Sequence, residues 1–324
     1  MGIKYLNSFL KDNCPESIKY VSMAELSGKK IAIDVSIYLY KYVGDECLIE
    51  NMYLMIATFR HYNITPIFIF DGKPPAEKKE LLKQRRENKL YAEKEYIRLQ
   101  SCLESIIEDS EKQEIVANMD SLKKQFVYIN KNHIEKVKEL IISFGVTYIE
   151  APGEADELCA ILVIKKKVWG CMSEDMDLFA YGCPRVLRYF SLLNRSAVVY
   201  DMKGILRELD LTMKEFREIC VLSGTDYNIN RGVKDSMNLQ KTIKLFKKYK
   251  KAKNGEDFYI WINNNNSECI ESCEYLMNIY TMFDLSENHD HLKMCDDIRI
   301  VNSHINKERM RPILEEDGFV FNCY

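Results

Sequence analysis

The stretch IAIDVSIYLY, Ile31 to Tyr40, decides the fold. Its compact apolar opening, Ile31–Ile33, has strand length, and Asp34 ends it before a helix-like segment that carries Tyr40. The same grammar returns in IFIFDGKPP, where the run Ile67–Phe70 is ended by Asp71. Val146–Ile149 and Val168–Met172 are further runs of this kind, separated by stretches of helical periodicity such as Ile134–Phe144 and Ala155–Ile164. Short strands alternating with helices predict an α/β fold, a central mostly parallel sheet flanked by helices. Folds of that class place ligands at the carboxyl ends of their strands, which puts Asp34 and Asp71 on one functional edge.

Three more segments add acids at expected element ends. They are Glu154 and Asp156 in EAPGEADELCA, Asp175 and Asp177 in SEDMDLFAYG, and Asp226 in LSGTDYN. Carboxylates this dense repel one another unless cations lie between them, and hard divalent ions such as Mg²⁺ prefer oxygen ligands beside phosphates. Each acid also has an ordinary reading. Glu154 or Asp156 could cap the helix that starts there, and Asp71 and Asp226 could be turn acids. Asp175-Met-Asp177 is expected in an extended segment, where residues two apart point the same way.

The chain has 324 residues, 47% hydrophobic and 29% charged, with a net charge of −3 that hides a segregated distribution. Lys and Arg gather between residues 73 and 98 and between 241 and 253, which allows a local basic face for nucleic acid. Eleven cysteines without a CxxC pair read as free thiols in a reducing compartment, and His289 and His291 as surface histidines. No apolar run suits a signal peptide or a membrane span, so an intracellular protein, nuclear or cytoplasmic, is expected, a monomer by default. Residues 74–135 interrupt the α/β pattern with polar, helix-forming sequence, and KTIKLFKKYKKAK carries seven lysines from 241 to 253. On charge alone the first of these reads equally as a solvated helix.

The ordered motifs, from MGI at the start through IAIDVSIY, FIFDGKPP, EAPGEADELCA and SEDMDLFAYG to LSGTDYN, resemble the flap endonuclease / xeroderma pigmentosum G nuclease family. The resemblance covers nearly the whole chain, residues 1–324 as a single nuclease domain. It implies a 5′-nuclease fold with a helical arch inserted at 74–135, a helix–two-turn–helix-like DNA-binding segment at 214–253, and C-terminal helices at 254–324 packing on the core. It also implies two Mg²⁺, with Mn²⁺ able to substitute. Asp34, Asp71, Glu154 and Asp156 correspond to the ligands around one ion. Asp175, Asp177 and Asp226 correspond to those around the other, with Asp156 standing where Glu is usual. Two such ions about 3.5–4 Å apart can activate water and stabilise the leaving oxygen without a histidine base. Lys78 and Arg85 match the basic pair that leans from the arch to the reacting phosphate. Tyr40 matches a base-stacking aromatic, although a core tyrosine is an equal reading of the residue itself. Gly2 matches the N-terminus that packs near the active site.

The implied activity is metal-dependent hydrolysis of branched or flapped DNA, at 5′ flaps and with 5′→3′ exonuclease action. Other branches of the family leave exonucleolytic, junction-resolving and RNA-directed variants open, and a catalytically silent binder of branched DNA is the rival of another class. In the hairpin region Gly232 is present, but Lys234 replaces the second glycine of the usual GxG, which counts against a K⁺ site there. Lys244, Lys247, Lys248, Lys250 and Lys251 remain as phosphate contacts for duplex DNA. The chain ends GFVFNCY without the Gln and paired aromatics of a sliding-clamp peptide, so no clamp partner is expected.

Overall fold

The computed structural model describes residues 2–103, 109–228, 237–252, 255–266, 269–286, 295 and 297–321. Helix α1 (Leu6–Asn13) leads to strand β1 (Ile18–Ser22), and β2 (Lys30–Asp34) runs directly into α2 (Val35–Gly44). Helix α3 (Leu48–His61) and β3 (Thr65–Phe70) follow. A 3₁₀ turn (Ala76–Lys78) then opens α4 (Lys79–Leu103), with α5 (Asp109–Lys123) and α6 (Lys131–Ser143) before β4 (Thr147–Glu150). Next come α7 (Ala155–Ile164), β5 (Gly170–Met172), a single turn α8 (Asp177–Ala180), and the hairpin of β6 (Arg185–Ser191) and β7 (Ser196–Asp201). The remainder is helical: α9 (Met202–Leu209), α10 (Met213–Ser223), α11 (Leu239–Ala252), α12 (Phe258–Asn265), α13 (Cys273–Phe283) and α14 (Lys307–Glu316).

The strands form one sheet in the order β1-β7-β6-β5-β2-β3-β4, parallel from β6 to β4 and antiparallel at β7 and β1. The apolar runs of the sequence lie in β2 to β5. Strands β1 and β6 carry no such run because Lys19 and Arg188 interrupt them, whereas the apolar run Ala197–Tyr200 of β7 went unread. Both faces of the centre are covered. Ala32, Ile67 and Ile69 join one core with α7, α8 and α10, whereas Ile31, Ile33, Phe68 and Phe70 join the other with α2, α3 and α6. That split is the two-residue period of a strand read on two buried faces. Among the described residues no helix is long and apolar enough to cross a membrane.

From β2 the chain first builds outward through β3 to β4, then returns to add β5 on the other side of β2. The order therefore reverses beside β2, and the crevice such a reversal opens at the strands' carboxyl ends is where this sheet class binds ligands. The loops after β3 and β4 are locked there at close range: Gly72 N donates to Gly153 O at 2.7 Å, and a Cβ on Gly72 would collide with the carbonyl of Ala151. Gly72→Ala must push these loops apart. It is expected to destabilise the protein by about 1–3 kcal/mol, the usual cost of overpacking, read as a lower midpoint in urea.

Candidate active site

Each acid reaches the crevice for a local reason. Asp34 ends β2 and caps α2: its Oδ1 accepts from Ser36 N at 3.1 Å and its Oδ2 from Ser173 Oγ at 2.9 Å. Asp71, just past β3, accepts from the Ser36 hydroxyl and, at 2.9 Å, from Ala155 N, the first amide of α7. Asp71 thus caps α7 from another strand, and Glu154, though at the N-cap position, makes no capping bond. Glu154 turns to Lys78 Nζ at 2.7 Å and to the Tyr227 hydroxyl at 2.5 Å.

Asp156 lies in the first turn of α7 with its Oδ1 buried and without a hydrogen-bond partner. Asp175 Oδ1 accepts from Asp177 N at 2.9 Å, and both oxygens of Asp177 are buried without partners. The extended reading of this pair is corrected here. Met176 is helical (φ −81, ψ −13) and Asp177 begins α8, because the Asp175 side chain bonds the amide two residues on and closes a turn. Gly2 lies over the pair with φ +72, and a Cβ there would meet Asp175 Oδ1 and stand 2.6 Å from Asp177 Oδ1. Only glycine combines that backbone conformation with so close an approach.

Burial and mutual repulsion govern these carboxyls. Burial, then the charges of Asp71 and Asp175, push Asp34 up to about 8. Burial first also raises Asp156, where Asp175 and Asp34 add to it, and Asp175, where Asp226 does. Asp177 is raised by burial and then by Asp175 and Asp226. Five segments therefore share one electrostatic neighbourhood.

Two cations enter it from the polar insertion. Lys78 is buried, bonds Glu154 and stands 3.8 Å from Asp226 Oδ2. Arg85 Nη2 bonds the same Asp226 oxygen at 2.8 Å. Burial works against a charged Lys78, but Glu154, Asp156 and Asp226 together outweigh it and raise its pKa. Seven residues apart, the two would share one face two turns apart if a single helix carried both. Instead Lys78 ends the 3₁₀ turn and Arg85 lies in α4, yet both point to Asp226.

With these partners in place, no three acidic, His or Cys side chains among the described residues close on one point as a metal cage. The donor set nevertheless fits a hard divalent ion. It consists of carboxylate oxygens only, three of them buried and unpartnered on Asp156 and Asp177, with further acids raised by repulsion that such an ion would relieve.

The remaining expected residues lie around this centre. Tyr40 is 47% exposed, which excludes the core reading, and Lys89 Nζ sits 4.6 Å from its ring centroid. Lys244, Lys247, Lys248, Lys250 and Lys251 are exposed on α11, but Lys250 is paired with Glu215 at 2.6 Å. Gly232, Lys234, His289 and His291 fall outside the described residues. Sequence reading passed over Ser36, Ser173 and Tyr227, which bond the acids, and Tyr181, which bonds Tyr227. A hydroxyl within two residues of Asp34, Asp175 and Asp226 was the available signal.

The chain is similar to known proteins over much of its length. Residues 1–92 match the family model of the XPG N-terminal domain, and residues 145–226 that of the XPG I-region. Flap endonuclease 1 of Glycine max is 33% identical over 246 residues, 70% of this chain and 62% of the relative, and that of Zea mays is 34% identical over the same length. The chain thus spans about six-tenths of the length of these curated relatives. The catalytic core of Rad2 in complex with DNA substrate superposes with a TM-score of 0.68 at 21% identity, covering 98% of this chain and 95% of that one. This likeness speaks for the fold alone.

The pH behaviour follows from the raised acids. Unfolded, Asp34 loses its proton near pH 4, whereas folded it keeps the proton until about 8. Between those values the unfolded chain binds fewer protons, so stability falls as pH rises. In EDTA the melting temperature is expected to drop from pH 5 to pH 8, and Mg²⁺ to restore more of it at pH 8 than at pH 5. Asp177→Asn removes one of the raised carboxyls and should flatten both effects, checked by scanning calorimetry.

Proposed function

The chain belongs to the flap endonuclease/XPG family of nucleases, and from that premise we propose that it hydrolyses DNA phosphodiesters at branched structures, 5′ flaps first, with 5′→3′ exonuclease action. Family membership implies divalent-metal dependence. The observation that carries the reading is the meeting of Asp34, Asp71, Glu154, Asp156, Asp175, Asp177 and Asp226 at one sheet edge, with Lys78 and Arg85 inserted among them. A protein that only binds DNA gains nothing from burying carboxylates where phosphates must approach.

In this proposal the seven carboxylates hold two ions, Mg²⁺ or Mn²⁺, divided as the resemblance implies. Ions held there supply the Lewis acidity that makes water nucleophilic at neutral pH and offset charge on the phosphate. The chain's own residues do the rest. Lys78 and Arg85 give up Glu154 and Asp226 to bind phosphate oxygens, where their fixed charges stabilise the developing negative charge. Tyr40 offers an exposed face for a base, a sequence-tolerant contact. Gly2 closes one wall of the centre beside Asp175 and Asp177.

Residues 74–135 act as the arch, a reading supported by the polar α4 and by Lys78 and Arg85, from the 3₁₀ turn and α4, at the acids. Segment 214–253 binds duplex through α11, and 254–324 supports the core, to which Phe258, Leu276 and Phe283 contribute. The solved relatives include the Rad2 core in complex with DNA substrate and human GEN1 in complex with Holliday junction DNA, which makes branched DNA the ligand class to test.

The reading is tested with end-labelled 5′-flap, nicked duplex, Holliday-junction and single-stranded RNA substrates, in Mg²⁺ or EDTA. Mg²⁺-dependent cuts at the flap base, absent in Asp175→Ala, are expected. Tight flap binding without cutting under any metal would instead establish a silent binder. Arg85→Ala should lower kcat by about 10²-fold or more with little change in flap Kd, and a change confined to Kd would remove Arg85 from catalysis. Replacing Lys244, Lys247, Lys248 and Lys251 together should flatten the salt dependence of duplex binding by about 0.9 in log–log slope for each phosphate no longer neutralised. Lys250, engaged with Glu215, should add least to that change.

A further inference from the structure

Among the groups around the acids that the proposed mechanism leaves unused, Tyr227 meets both an acid, Glu154, and a cation, Lys78. It follows Asp226, is 3% exposed, and its hydroxyl lies 2.5 Å from Glu154 Oε2 and 2.8 Å from the Tyr181 hydroxyl. Tyr227 donates its one hydroxyl proton to Glu154, so Tyr181 donates to Tyr227. The two hydroxyls form a short chain aimed at one carboxylate oxygen, each bond polarising the next. The face of the Tyr227 ring also lies under Lys78, with Nζ 5.1 Å from the ring centroid.

The ring itself cannot swing. Its backbone N–H donates to Thr225 Oγ1 at 3.3 Å, its carbonyl accepts from the Tyr275 hydroxyl at 3.1 Å, and it packs edge-on against Phe283 at 5.1 Å. Glu154 is the opposite case. It stands half-buried at the mouth of α7, makes no capping bond, and its hydrogen-bond partners among the described residues are Lys78 and Tyr227. Once Lys78 turns to a phosphate, the Tyr227 hydroxyl is the partner that remains.

We propose that Tyr227 is a positioning residue for the nuclease reaction, fixing the carboxylate of Glu154 through its hydroxyl and the ammonium of Lys78 through its ring. The inference rests on the nuclease reading above. Hydrogen-bond partners that orient a ligating carboxylate cost about 10–100-fold in metal affinity or activity when removed. Tyr227→Phe deletes the hydroxyl and keeps the ring, so it separates the two contacts.

The test compares wild type, Tyr227→Phe and Tyr181→Phe by Mn²⁺ titration followed by electron paramagnetic resonance, by steady-state flap cleavage and by thermal melting. Tyr227→Phe is expected to melt as a folded protein, to bind Mn²⁺ about 10–100-fold more weakly, and to lose kcat at unchanged flap KM, with excess Mn²⁺ restoring part of the turnover. Tyr181→Phe should move the same quantities less. A folded Tyr227→Phe with wild-type Mn²⁺ affinity and kcat, or with a raised KM alone, overturns the proposal. If Tyr227→Phe does not fold, Tyr181→Phe decides, and unchanged Mn²⁺ binding and turnover there overturn it equally. A wild type that binds Mn²⁺ but cuts no DNA would sink the nuclease reading, while the Mn²⁺ titrations would still decide whether Tyr227 holds Glu154.

Discussion

Repulsion among buried carboxylates is the constraint on which the rest of this structure depends. Two like charges about 4 Å apart cost about 4 kcal/mol even at the effective dielectric of a protein surface, and here Asp34, Asp156, Asp175 and Asp177 are all raised by burial and by neighbouring carboxylates. Such a cluster persists only if protons or cations neutralise it. Lys78 and Arg85 supply part of that positive charge, and the buried, unpartnered oxygens of Asp156 and Asp177 indicate how much is still wanted.

The sheet brings the acids together despite that cost. Strand order reverses beside β2, so the ends of β2, β3, β4 and β5 open onto one crevice. Helices α2, α7 and α8 all begin there, and their first-turn amides and dipoles favour negative charge. The acids also cap one another's elements. Asp34 caps its own helix α2, Asp71 caps α7, and Ser36 and Ser173 tie Asp71 and Asp34 into the same network. Stability and site are therefore built from the same bonds, and this is why loops as distant as Gly72 and Gly153 must lock at close range.

Helix α4 meets the centre differently. Along its length only Leu81 and Ala92 are buried, so its attachment relies on Arg85 to Asp226 and on Lys89, which donates to Val127 O and faces the rings of Tyr40 and Tyr128. Contacts of this kind are charged and exchangeable, unlike the apolar packing that holds α7 and α10 in the core. A segment held so is suited to trading a carboxylate for a phosphate, the exchange that the proposed mechanism requires of Lys78 and Arg85.

Much of the sheet and of the acid set was legible in the chain itself. Apolar runs ended by Asp34 and Asp71 mark strand ends whatever surrounds them, because strand and helix periods are local properties, and the resemblance picked Lys78 and Arg85 out of a basic stretch. The conformation of Asp175–Asp177, the start of Arg85's helix after Lys78, and the diversion of Lys250 to Glu215 depended on neighbours that spacing cannot show. The same holds for the hydroxyls. Tyr227 reaches Glu154 across 73 positions and Ser173 reaches Asp34 across 139, so their segments show a hydroxyl beside an acid but not which acid it holds. Sequence by itself determined which charges the protein must bury. Tertiary structure alone decided which groups hold them, since hydrogen bonds and ion pairs follow distance in space, and folding sets that distance.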